Sequence, residues 1–167
     1  MLITSLLLAI NVTATPAAAP VTDPAILLPI SRVARTASRL ADEPDYLARA
    51  IAAQAAGDLE GARREYVVAT ALDRDAGKMP TQAAYGLALV LSEQGKYRDA
   101  AAALEALADD AAIQKDDEIE ARALLDALYL NSRAHLAPQA RDNAERLNSL
   151  KRSMKLSPDL KKRIAKI

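Results

Sequence analysis

Residues 56–69, AGDLEGARREYVVA, contain a pattern that returns at residues 94–107, QGKYRDAAAALEAL. In both copies a glycine follows a helical stretch of about a dozen residues, and small and apolar residues then recur at fixed offsets. The succession of a helix, a glycine turn and a second helix predicts a helical hairpin, and the second copy predicts that this hairpin is repeated in tandem. Such hairpins stack into extended binding surfaces, so the pattern favours a protein that binds another protein.

The composition predicts an all-α fold. Alanine, which has the highest helix propensity, occurs 38 times, whereas the chain has only five glycines and no tryptophan or phenylalanine. A core so poor in large side chains is stable only if helices approach closely, which alanine permits. The absence of cysteine excludes disulfides, thiolate metal sites and cysteine nucleophiles.

Apolar spacing, capping residues and prolines together predict eight helices and no strand. The helices cover about residues 30–41, 44–56, 58–72, 80–94, 97–108, 117–130, 138–154 and 158–167. Residues 73–79 are predicted as a loop, and residues 109–116 as a polar connection.

The N-terminal residues have the character of a targeting segment. Residues 1–19 begin with a short uncharged apolar run and end rich in alanine, as in a secretory signal peptide, although no basic residue precedes the run. Residues 20–29 form a proline-rich linker, and residues 30–167 the helical domain. We therefore expect a periplasmic or secreted protein. The alternative is that these residues form a disordered or core-docked N-terminus, in a membrane-associated or cytoplasmic protein.

The two copies resemble the tetratricopeptide repeat family over about residues 44–108. The second copy carries the resemblance in Tyr85-Gly86-Leu87-Ala88-x-x-Leu91, followed by Ala100, Leu104 and Leu107. The first copy matches at Tyr46, Ala50, Ala53, Gly57, Ala62, Tyr66 and Ala69. The resemblance implies a short α-solenoid of helical hairpins, capped by atypical helices at 30–41 and 117–167. The alternative is an alanine-rich bundle that matches by composition alone.

Four alanines fall where the helices of each hairpin would cross. These are Ala50 and Ala62 in the first copy, and Ala88 and Ala100 in the second. Only a small side chain permits a short distance between helix axes there. We expect all four to be buried.

In tetratricopeptide repeats the first helix of each hairpin lines a concave groove. The corresponding residues here are Leu47, Ile51, Gln54, Gln82, Tyr85, Leu89, Ser92, Arg122 and Tyr129. Because several of them are apolar, the groove suits a helix or an extended apolar peptide. Alternatively, the predicted helix at 30–41 or the C-terminal helices cover these residues and close the bundle.

The C-terminal residues are strongly basic. Residues 151–167 contain seven cations and one acid, namely Lys151, Arg152, Lys155, Lys161, Lys162, Arg163 and Lys166 against Asp159. An apolar stripe of Leu156, Leu160 and Ile164 predicts a capping helix with solvated charges, and the alternative is contact with anionic lipid or an acidic partner surface. The acidic residues between 105 and 126 could also pair with this tail. Nucleic acid is not expected, since no aromatic residue accompanies the cations.

The sequence contains no recognisable catalytic or metal-binding motif, and we predict no cofactor. His135 is the only histidine and lies near a predicted helix end. The sequence thus predicts a non-enzymatic exported adaptor or assembly factor that binds a protein or peptide. The alternative is a structural or membrane-peripheral protein localised by its basic helix or by an uncleaved leader. The oligomeric state and the partner's identity stay open.

Overall fold

The structure, a computed structural model, describes residues 45–153 and 155–167, and all regular secondary structure there is α-helical. The helices are α1 (Tyr46–Ala55), α2 (Leu59–Asp75), α3 (Thr81–Glu93), α4 (Tyr97–Gln114), α5 (Asp117–Arg133), α6 (Ala137–Leu150) and α7 (Pro158–Ile164). The predicted signal peptide, linker and helix at 30–41 lie outside the described residues.

The helices pack mainly against their neighbours in the sequence, from α1 on α2 through to α5 on α6. This stepwise packing confirms the predicted all-α, solenoid-like fold. Among the described helices, none has the length and hydrophobicity that a membrane span requires.

Each connection from α1 to α6 turns on one residue in the left-handed conformation. These residues are Gly57, Gly77, Gly95, Lys115 and His135. In the three turns within hairpins, the amide after the left-handed residue donates to the carbonyl five positions earlier. The pairs are Asp58–Ala53 at 2.9 Å, Lys96–Leu91 at 2.8 Å and Leu136–Asn131 at 2.8 Å. This bond satisfies carbonyls left open at a helix end, so all three hairpins close in the same way.

The third hairpin, α5 with α6, corrects the expectation that residues 117–167 form only atypical caps. His135 takes the left-handed conformation that glycine takes in the other two hairpins. Pro138 does not interrupt the unit, because it lies in the first turn of α6, where a proline's missing N–H costs no hydrogen bond.

Helix α4 continues through most of the predicted polar connection at 109–116. It ends at Gln114, where Lys115 adopts the left-handed conformation. Ala108 and Ala111 are fully buried on its inner face, so packing extends the helix past the paired acids Asp109 and Asp110. At the other end of the unit, α1 begins at Tyr46 rather than at Pro44, since Asp45 caps it by accepting a hydrogen bond from the Ala48 amide at 2.9 Å.

Small residues form the core of the first hairpin, as predicted. Ala50 and Ala62 are buried with Tyr66 in one apolar cluster. The Tyr66 ring lies directly on Gly86 of α3, where even a Cβ atom would overlap it. In the second hairpin, Ala88 and Ala100 are buried in the same register.

Polar groups are buried around the third hairpin. The amide groups of Asn131 and Asn143 both donate to Oε1 of Glu105, at 2.7 and 2.9 Å. Both asparagines are almost fully buried. One carboxylate of α4 thereby joins α5 to α6.

Helix α7 packs on the third hairpin. Leu160 and Ile164 are buried together with Leu124 and Leu147. The Ser157 hydroxyl caps α7 by accepting a hydrogen bond from the Leu160 amide. The backbone amide of Ser157 donates to Oε2 of Glu118 at 2.7 Å. The helix ends at Ile164, three residues before the predicted end.

Candidate partner-binding groove

The three left-handed residues Gly57, Gly95 and His135 set a common register for the first helices of the hairpins. Six positions before each of them stand Ile51, Leu89 and Tyr129, and ten positions before stand Leu47, Tyr85 and Leu125. Because the turns have the same backbone hydrogen bonds, residues at equal offsets lie at equal levels of α1, α3 and α5. The predicted groove residues therefore form rows that cross the stacked hairpins.

The row at six positions, Ile51, Leu89 and Tyr129, is apolar and partly open to solvent. Ile51 keeps 44% of its surface exposed, and the other two are half-buried. Ile51 and Leu89 belong to none of the three apolar clusters of the described residues. Their side chains thus leave apolar surface for a ligand. We call these three residues the apolar row.

The row at ten positions is more enclosed. Tyr85 packs against two of the apolar clusters, and Leu125 is buried. Burial raises the pKa of Tyr85 above its ordinary value, and the nearby Asp126 carboxylate raises it further. Tyr85 is therefore neutral at physiological pH and serves as an apolar wall with a hydroxyl at its edge.

Several of the predicted polar groove residues are engaged within the fold. Gln54 accepts a hydrogen bond from the Tyr66 hydroxyl at 3.0 Å and donates to Glu93 at 3.5 Å, so it links the first two hairpins. The Ser92 hydroxyl donates to the Ala88 carbonyl at 2.7 Å, one turn back in its own helix. These two side chains therefore hold the helices in place, and their hydrogen-bonding groups are already used within the fold.

The remaining two polar groove residues, Gln82 and Arg122, are exposed. Both stand thirteen positions before a left-handed residue, and Arg122 donates to Glu118 of its own helix at 2.7 Å. They flank the apolar row on the side that faces away from the turns.

Three residues near the third hairpin were not among the predicted groove residues. Arg133 stands over the ring of Tyr97 at 5.1 Å and donates to its hydroxyl at 3.2 Å. Leu125 and Asp126 lie at the levels of Leu47 and Ala48 of the first hairpin. Counting back from a turn at His135 would have found Leu125, whose equivalents Leu47 and Tyr85 were predicted, but a histidine does not mark a left-handed turn in a sequence. Asp126 and Arg133 have no equivalents among the predicted groove residues.

The basic tail is divided between structural and exposed cations. Its apolar stripe is buried, as expected of a capping helix. Lys155 donates to the Lys115 carbonyl at 2.9 Å and lies 3.8 Å from Asp117, and Arg163 lies 3.8 Å from Asp126. Lys161 is half-buried, and the exposed remainder is Lys151, Arg152, Lys162 and Lys166.

Every acidic residue between 105 and 126 has a partner within the fold. The acids that contact other side chains or backbone amides are Glu105, Asp109, Asp110, Asp116, Asp117, Glu118, Glu120 and Asp126. Arg146 alone bridges two of them, with its guanidinium 2.8 Å from Asp109 and 3.0 Å from Glu120. The acidic segment therefore joins helices to one another, and part of the tail's charge is neutralised by it.

No group of three potential metal ligands occurs among the described residues. Comparison of the chain with known protein families, curated proteins and solved structures finds no match. The resemblance to tetratricopeptide repeats accordingly rests on the motif residues, and the groove on the register of the three hairpins.

Proposed function

We propose that this chain is a non-enzymatic interaction module that holds a helix or an extended apolar segment of another protein against the apolar row. The observation that supports this proposal is the alignment of Ile51, Leu89 and Tyr129 at one level of three successive hairpins. The fold is all-α and solenoid-like, and we propose that its groove is used as in the tetratricopeptide repeats that the motif residues resemble.

The chemistry of the row favours an apolar ligand. Ile51 and Leu89 offer aliphatic surface, and Tyr129 offers a large rigid ring with a polar edge, a residue type enriched at binding hot spots. Amphipathic helices bind such surfaces through residues on one face at helical spacing. We propose a partner segment with an apolar stripe, and we propose that the protein acts as an adaptor or assembly factor.

Site-specific photo-crosslinking tests the groove. A photoreactive amino acid is placed at Ile51, at Leu89 or at Ile113 of the full-length chain, expressed in the cells in which the protein occurs. Ile113 is a matched control because it is an isoleucine on α4, outside the row, and 80% exposed. We expect one discrete crosslinked partner from both groove positions and none from position 113.

A competing substitution completes the experiment. With the photoreactive residue at Leu89, Ile51→Glu should abolish the crosslink, whereas Ile113→Glu should leave it unchanged. Circular dichroism confirms that both variants keep their helix content. Crosslinks of equal yield from all three positions, or a crosslink that survives Ile51→Glu, would refute a groove-bound partner.

Export is the second part of the proposal, and it rests on the composition of residues 1–19. Mass spectrometry of the protein isolated from cells identifies its N-terminal residue. A mature N-terminus between residues 15 and 20 would support export, and a retained Met1 would count against cleavage of a signal peptide.

A further inference from the structure

The outer face of α2 carries apolar residues that the fold leaves exposed. Val67, Val68 and Leu72 keep 45%, 37% and 40% of their surface, and Ala71 is exposed beside them. Arg64 and Asp75 stand exposed at the two ends of this set. We call the six residues the α2 stripe.

The α2 stripe has the spacing of a helix–helix seam. Arg64, Val68, Ala71 and Asp75 follow one another at intervals of four, three and four residues, which keeps them on one side of the helix. Val67 and Leu72 flank this line. The buried residues of α2, among them Ala62, Tyr66 and Ala69, are on the opposite side.

Neither of the other second helices has such a face. Counted from the left-handed residues, the positions of Val67, Val68, Ala71 and Leu72 are taken in α4 by Glu105, Ala106, Asp109 and Asp110, and in α6 by Glu145, Arg146, Ser149 and Leu150. Several of these charges form the ion pairs that join helices. The repeat architecture itself therefore does not require apolar residues here.

The charges at the ends of the α2 stripe are complementary to each other. Arg64 and Asp75 are equally far from the midpoint between Ala69 and Thr70, and so are Val68 and Ala71. A two-fold axis through this midpoint would place Arg64 of one copy opposite Asp75 of the other, twice, and Val68 opposite Ala71. Among the described residues neither Arg64 nor Asp75 forms an ion pair.

We infer that the α2 stripe is the contact surface for a second copy of this chain, with the two α2 helices antiparallel. Opposite charges at the two ends of an apolar seam fit an isologous contact, in which the same patch serves both copies. The stripe covers twelve residues, about 18 Å of helix. A helix pair of that length buries less than the ~1,200 Å² of a stable complex, so the dimer is weak. This inference is independent of the proposed groove.

Sedimentation velocity of the full-length chain measures the association, from about 5 µM to about 1 mM, a range that brackets weak dimers. We expect a reversible rise from monomer to dimer. Val68→Asp should abolish the rise, because it places a carboxylate in the centre of the seam. Ala102→Asp is the matched control on the outer face of α4, where Ala102 is the exposed counterpart of Arg64.

A charge exchange tests the pairing itself. Arg64→Asp alone brings two acids together at each end of the seam, and Asp75→Arg alone brings two bases together, so each single variant should stay monomeric. A 1:1 mixture of the two variants should dimerise again, because each contact then joins an acid of one variant to a base of the other. Circular dichroism verifies that the variants are folded.

Two results would overturn the inference. One is a wild-type chain that stays monomeric over the whole concentration range. The other is a dimer that Val68→Asp and the single charge variants leave unchanged, which would place the interface elsewhere on the chain.

Discussion

The first and the third hairpin have the same turn geometry but are held together by different side chains. In the first, Ala50 and Ala62 let the helices approach, and Tyr66 lies on a glycine of the next helix. In the third, leucines occupy the equivalent space, and the buried Asn131, Asn143 and Glu120 pair with the partly buried Glu105 of α4 and Arg146. One backbone arrangement can therefore be specified either by close approach of small residues or by larger side chains with satisfied polar groups.

The largest expected effect comes from giving the third hairpin a residue of the first. Leu147 stands twelve positions after His135, where the first hairpin has Ala69, twelve after Gly57. Since Leu147 is fully buried, Leu147→Ala should lower the free energy of unfolding by about 2–5 kcal/mol. Chemical denaturation measures it. A loss below about 1 kcal/mol would mean that the third hairpin collapses around small residues as the first does.

Removal of the Glu105 carboxylate should have the next largest effect. Glu105→Ala leaves the buried amides of Asn131 and Asn143 without their acceptor, at a cost of about 1–3 kcal/mol. Glu105→Gln retains an acceptor oxygen and should cost less. Equal losses for the two variants in thermal or urea unfolding would show that the charge, and not the acceptor, joins the helices.

The close contact between the first hairpin and α3 is tested by Gly86→Ala. An added Cβ would overlap the Tyr66 ring, and overpacking costs about 1–3 kcal/mol. The higher helix propensity of alanine offsets up to about 1 kcal/mol of this loss in the free energy of unfolding. We therefore expect a net destabilisation of about 1 kcal/mol in urea unfolding. In the variant Tyr66→Leu, which removes the ring, Gly86→Ala should become stabilising; the same loss in both backgrounds would contradict the role given to the ring.

Glu118, which joins the third hairpin to the residues that begin α7, should make the stability depend on pH. Burial alone would raise the pKa of Glu118, but hydrogen bonds from Ser157 and Arg122 outweigh it, and the pKa is lowered. A lowered folded pKa contributes stability above the unfolded glutamate value of 4.5, and this stability is lost as the pH falls through the folded value. Melting temperatures of wild type and Glu118→Gln should differ at pH 7 and converge at acidic pH. A constant difference would rule out this carboxylate as the titrating group.

The smallest effect concerns the turns. His135 has a positive φ of 58°, whereas Gly95 occupies the same place in the second hairpin. His135→Gly should relieve the strain of a left-handed side chain and change stability by less than about 1 kcal/mol, with strain relief favouring the variant. Gly95→Ala should destabilise by about 1 kcal/mol. If both substitutions destabilise equally, the histidine side chain makes a contact of its own in the turn.

The sequence predicted the parts of the fold that depend on small residues and on glycine. Ala62 and Ala100 are buried in the predicted register, and Gly57 and Gly95 turn as expected. It did not predict the third hairpin, because a histidine in the left-handed conformation has no sequence mark. Nor did it predict the helix through Asp109 and Asp110, whose charges are matched only by Arg146 and Arg74 from distant helices.

The candidate groove, too, could be predicted in the first two hairpins better than in the third. Residues of the first two hairpins, such as Ile51 and Leu89, could be assigned from the glycine turns, and the matching turn at His135 gives Tyr129 the same offset. The exposed face of α2 was not assigned at all, although Val67 and Val68 fall outside the spacing of the buried Ala62, Tyr66 and Ala69. The structure shows that no described helix covers this side of α2, which leaves Val67, Val68 and Leu72 exposed.

Because the helices contact chiefly their neighbours in sequence, the hairpins form a row of coupled units whose end members can open without the others. Amide hydrogen exchange should thus be fastest in α1 and α2 and slowest where the Glu105 contacts tie α4, α5 and α6. A ligand that touches the whole apolar row binds only when all three units are stacked. Its binding would then suppress the opening of the first hairpin, so that occupancy of the groove could be read from the exchange rate of amides that the ligand never contacts.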